Sequence, residues 1–154
     1  MRTLFGLLLA CVVGVLVAGC EPKKPVQNTQ PKGEAGHDHP TVGPHKGAII
    51  ELGEEEYHLE FVVDHNAKEA TVYILDEKAA NAKPIKTKQI TLSLREQPPV
   101  TITLDAKPQE SDPKDTASRF VGKNDVLGTK KEFTGTIGLE IEGKKYSGSL
   151  PEKK

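Results

Sequence analysis

Four of the chain's five histidines fall between His37 and His58. His37-Asp38-His39 is a His-x-His motif, His45 follows it closely, and His58 stands two residues before Glu60. Neutral imidazole is a good donor to Zn, Cu or Ni, and a carboxylate can complete the same shell. Side chains at i and i+2 of a strand share a face roughly 6.6 Å apart, so His58 and Glu60 can address one ion. The candidate metal ligands are therefore His45, His58 and Glu60, joined by His37 and His39. Plainer readings stand beside this one. His37 and His39 are polar residues of a linker, His58 is a solvent-facing strand residue beside Glu60, and His65 is a hairpin tip.

Catalytic chemistry has little to work with. Ser93, Ser111, Ser118, Ser147 and Ser149 lie in no motif with a neighbouring base. Gly135 and Gly138 sit inside a strand pattern and not ahead of a helix, so they make no phosphate loop. Glu54-Glu55-Glu56 follows Gly53 and reads as a solvated turn. No enzyme is expected. The 154 residues carry 21 Lys+Arg against 22 Asp+Glu, a net charge of -1, which gives no general attraction to nucleic acid.

The N-terminus places this chemistry outside the cytoplasm. Met1-Arg2-Thr3 is a basic head, Leu4 to Val17 is uncharged, and Val17-Ala18-Gly19 leads to Cys20. That is the layout of a secretory signal over residues 1–19. The stretch resembles the lipobox of bacterial lipoproteins, which implies a diacylglyceryl group on Cys20, cleavage before it and acylation of the new amino terminus. Several acyl chains anchor a protein to a membrane for practical purposes permanently. Cys11 and Cys20 are the two cysteines, so the domain beyond them holds together without a disulfide.

Residues 20–44 contain Pro22, Pro25, Pro31, Pro40 and Pro44 and almost no large apolar side chain. Such a segment buries too little surface to fold, and predicts a disordered tether spanning about 27 Å as a flexible coil.

From residue 45 onward the apolar residues alternate. Leu59, Phe61 and Val63 are answered by Ala70, Val72 and Ile74 across a hairpin, with Val63 opposite Ala70, Phe61 opposite Val72 and Leu59 opposite Ile74. Ile90, Leu92 and Leu94 pair with Val100, Ile102 and Leu104 around Pro98-Pro99. Ile137, Leu139 and Ile141 lead through a turn at Gly143-Lys144, read as type II′, to Tyr146, Gly148 and Leu150. With Ala48 to Leu52 these make seven strands. No stretch has helical periodicity over three turns, and residues 105–118 read as a long polar surface loop. The prediction is one all-β domain over residues 45–154, an antiparallel, immunoglobulin-like β-sandwich.

The stretch Gly43-Pro44-His45-Lys46-Gly47-Ala48-Ile49-Ile50-Glu51-Leu52-Gly53, with Tyr57-His58-Leu59-Glu60, resembles the small β-domain near the start of periplasmic adaptor subunits of heavy-metal efflux systems. It is similar also to single-domain lipoproteins of planctomycete type. In the adaptor pattern a His-Gly-Gly element opens a strand and a Glu-bearing strand follows; Lys46 stands here where the pattern has its first Gly. The resemblance implies a β-sandwich and a link to metal, and carries over to His45, His58 and Glu60. The chain lacks the coiled-coil hairpin and barrel of an adaptor, so efflux itself is not implied.

Together these readings describe an exported lipoprotein, anchored by lipid on Cys20 at the periplasmic face or the cell surface. It would bind a transition-metal ion as a buffer, sensor or delivery module. The alternative is an interaction or structural module that docks on an envelope protein, an efflux component included, with no metal role.

Overall fold

Phe61 faces Val72, Leu59 faces Ile74 and Val63 faces Ala70, which is the register the alternation predicts. These pairs come from a computed structural model that describes residues 40–150. The signal, Cys20, His37 and His39 lie outside the described residues.

Eight strands form: β1 (Ala48–Leu52), β2 (Tyr57–Asp64), β3 (Glu69–Leu75), β4 (Gln89–Leu94), β5 (Val100–Ala106), β6 (Arg119–Lys123), β7 (Gly135–Ile141) and β8 (Lys144–Ser149). All neighbours are antiparallel, and one ladder runs β1-β2-β3-β6-β5-β4-β7-β8. The all-β class holds. The strand beyond the predicted seven is β6, five residues long. It pairs with β3 on one side and β5 on the other, and so makes the first three strands continuous with the rest.

One face of every strand is apolar. Leu59, Val72, Leu92, Leu104, Phe120 and Ile137 are fully buried on it, and each such side chain contributes about 1.5–3 kcal/mol by leaving water. The sheet is nearly closed. A side chain at Gly148 of β8 would run into Ile50 and Leu52 of β1. At the same seam the Tyr146 hydroxyl donates to Glu56 at 2.8 Å and the Lys144 ammonium at 3.2 Å. Those two groups, Tyr146 first, hold the Glu56 carboxyl below its ordinary range.

The β7–β8 turn differs from the sequence reading. Ile141 pairs with Lys144, so the two loop residues are Glu142 and Gly143, at φ 50° and 83°. Two positive φ values in a two-residue loop make a type I′ turn, whose twist suits a hairpin. The predicted type II′ turn at Gly143-Lys144 is displaced by one residue. The loop after β5 is ordered by Asp112, which accepts from the main-chain N–H of Gln109 and of Ser118.

Candidate functional site

Glu60 lies in the middle of β2 on the face opposite the core, yet it is fully buried. The segment leading into β1 covers it. Gly43 N–H donates to the carbonyl of Gly47, Lys46 N–H donates to that of Gly43, and Val42 bridges to Ala48. This tight turn lies over the Glu60 carboxylate. A side chain at Gly43 would meet the carboxyl group, and one at Gly47 would meet Phe61 and Glu60. Both positions need glycine because backbone approaches side chain so closely. Lys46 takes φ 66°, in the left-handed region that glycine favours. The tight turn is therefore made without the glycine of the adaptor pattern.

The carboxylate uses both oxygens. Oε1 accepts from the main-chain N–H of His45 at 2.6 Å and of Gly47 at 2.8 Å. Oε2 lies 2.7 Å from His45 Nδ1. A carboxylate only accepts, so Nδ1 carries a proton, and in the neutral imidazole Nε2 then holds the lone pair. The His45 ring stacks on Tyr73 of β3, with centroids 3.6 Å apart and planes within 3°. Tyr73 is the cross-strand partner of Glu60. The imidazole is thus held at one edge and one face, while its side chain remains 40% exposed. Metal-ligating histidines donate their other ring N–H to a carboxylate, a backbone carbonyl or water, and a carboxylate in that place orients the ring.

His58 goes elsewhere. It is fully buried on the same outer face of β2, and its Nδ1 lies 2.9 Å from the main-chain carbonyl of Asp76. The loop after β3 supplies that carbonyl, and Asp76 itself closes the loop by accepting from Lys78, Ala80 and Asn81. The structure therefore brings His45 and Glu60 together and hydrogen-bonds His58 to a different loop. Among the described residues no three His, Cys, Asp or Glu side chains converge as a metal-holding group. His65, at the β2–β3 turn, has Nδ1 2.8 Å from the carbonyl of Leu127, in the 3-10 turn Asp125–Gly128.

Three contributors are not among the site residues the sequence suggests: Tyr73, and Gly43 and Gly47 of the stretch that carries the adaptor resemblance. The Tyr73 position was accessible, because pairing Phe61 with Val72 also pairs Glu60 with Tyr73. Elsewhere, the buried Ser118 donates its hydroxyl to Asp112 at 2.7 Å and accepts from Gln109 at 2.8 Å. These contacts order the loop. Comparison with family models, with curated proteins and with solved structures finds no match.

Proposed function

We propose that this chain is an exported, lipid-anchored module without a catalytic role that takes a transition-metal ion on His45 Nε2. The observation that carries the reading is the 2.7 Å contact between His45 Nδ1 and the buried Glu60 carboxylate, which leaves the other ring nitrogen as the donor. Glu60 then orients the ligand and does not itself ligate. His37 and His39, a short way upstream, are the donors available to complete the shell, with Zn, Cu or Ni as the ions that imidazole suits. The likeness of the Gly43 to Glu60 stretch to the β-domain of heavy-metal efflux adaptors points the same way. The lipobox at Cys20 supports attachment to a bacterial membrane. A tethered domain with one oriented imidazole suits capture and delivery of an ion.

Calorimetric titration with Zn(II), Cu(II) and Ni(II), beside the His45→Ala variant, tests the reading. Tight one-to-one binding that is lost in the variant is the expected result. Bound Cu(II) should also quench tyrosine emission, since Tyr73 stacks on His45 and the chain has no Trp. Equal binding by the variant removes His45 as the ligand, and no binding by either protein removes the metal role and leaves a docking module.

A further inference from the structure

Ile49, Glu60, Tyr73 and Arg119 are successive cross-strand partners on the outer face of β1, β2, β3 and β6. The turn that carries His45 lies over the middle of this row. The neighbouring groups that the sequence offers as further ligands are already engaged. Glu60 uses both oxygens, on the His45 and Gly47 N–H groups and on His45 Nδ1. His58 is turned to the Asp76 carbonyl. What the described residues give an ion is therefore a single oriented nitrogen, His45 Nε2. The row is apolar at its β1 end and cationic at its β6 end. Val42, just upstream of His45, is the one large hydrophobic residue exposed among those described, at 58%. Pro44 is exposed too, and Ile49 is half-buried. Arg119 stands beside Tyr73, with its Nε donating to the Lys107 carbonyl at 3.1 Å.

A free Zn ion asks for about four donors, so it must draw the rest from His37, His39 or solvent. Haem iron does not, because the porphyrin nitrogens fill its plane and a proximal imidazole holds it to the protein. We propose that the ion His45 takes is the iron of a haem, a deepening that rests on the reading of His45 as a ligand. Bonding of Nε2 to ferric iron displaces an axial water and leaves the oxidation state unchanged. The Glu60 carboxylate on Nδ1 fixes the tautomer that this bond needs and makes the imidazole a stronger donor. The porphyrin itself is flat and apolar, with carboxylates at one edge. Covering Val42 and Pro44 takes exposed apolar surface out of water, and the Arg119 guanidinium is the cation for a propionate carboxylate. A hydrophilic chelate of the same iron gains nothing from Val42 and Pro44. A metal-free porphyrin gains nothing from Nε2.

Haemin titrated into the full chain in detergent micelles, with protein-free micelles as the blank, tests this through the Soret band. One-to-one binding with a shifted band is expected, together with the electron-spin signature of an axial imidazole. His45→Ala should lose the shift. His37→Ala/His39→Ala should keep it, because haem needs no further protein donor, and this variant separates haem from a free ion. Arg119→Gln should weaken haemin about threefold, and metal-free protoporphyrin should bind about tenfold or more weakly than haemin. No shift at micromolar haemin, a shift unchanged in His45→Ala, a shift lost in His37→Ala/His39→Ala, or equal binding of the metal-free ring would each overturn the proposal. Calorimetry with Zn(II), Cu(II) and Ni(II) reads the ligand role of His45 by itself. Ions bound there without haemin would sink the haem alone, and silence of both would take the metal reading with it.

Discussion

The carboxylate of Glu60 holds His45 at two points, through the main-chain N–H at 2.6 Å and through Nδ1 at 2.7 Å. One buried side chain thereby sets the backbone of the turn and the proton position on the ring it carries. Replacement by Gln separates the two roles. The amide oxygen still accepts from the His45 and Gly47 N–H groups, but the amide nitrogen donates to Nδ1, so the ring proton moves to Nε2. Glu60→Gln should stay folded, with a loss of about 1–2 kcal/mol, and lose metal affinity about 10- to 100-fold. Denaturant melts and calorimetry on one sample separate the effects. Undiminished affinity would show that the Glu60 proton acceptor does not matter.

The glycines of this protein should divide sharply by position. Gly47→Ala drives a methyl group into Phe61 and Glu60 and should cost about 1–3 kcal/mol by overpacking, displacing His45 as well. Gly138→Ala meets open space and should stabilise by about 0.4–1 kcal/mol, by restricting the unfolded chain. Opposite shifts in the urea midpoint are the expected observation.

Lys46 occupies a conformation that side chains dislike, at φ 66°. Lys46→Gly should relieve that penalty and raise stability by about 1 kcal/mol. The His45 amide and ring resonances should be unchanged, because the hydrogen bonds of the turn come from the backbone.

Asp76 makes the acid side of the stability profile testable. Burial pushes its carboxyl up, but hydrogen bonds from Ala80, Asn81 and Lys78 outweigh this and bring it from 3.8 to about 2. A depressed folded value contributes stability that is fully present above the unfolded value and lost as pH falls through the folded one. The window therefore runs from about pH 4 down to about pH 2. Because the side chain is partly exposed, the contribution is about 1–2 kcal/mol. Asp76→Asn should narrow the stability difference between about pH 5 and about pH 2.5 by roughly two thirds of that amount, measured by urea unfolding. An unaltered difference would mean that other carboxylates carry the acid transition.

Strand identity and hairpin register were legible in the sequence because both follow from a period of two. A slip by one residue would turn Leu59 and Phe61 to water, so the pairing with Val72 and Ile74 admits one answer. The last turn was less legible. Its register depends on whether Glu142 tolerates positive φ, and a sequence containing Gly143 leaves both turn types open. β6 was missed because Arg119-Phe120-Val121-Gly122-Lys123 is short and half polar. Its strand character comes from the two partners it joins.

The His45 site divides the same way. By itself the sequence determined that apolar alternation would build an all-β domain, and that His58 and Glu60 would share one strand face. Only the tertiary structure decided that the loop after β3 covers His58 while the turn from Gly43 to Gly47 covers Glu60. Periodicity assigns a side chain to a face. What lies over that face depends on where distant loops fold back, and on the glycines that let a backbone come within hydrogen-bonding distance of a buried carboxylate.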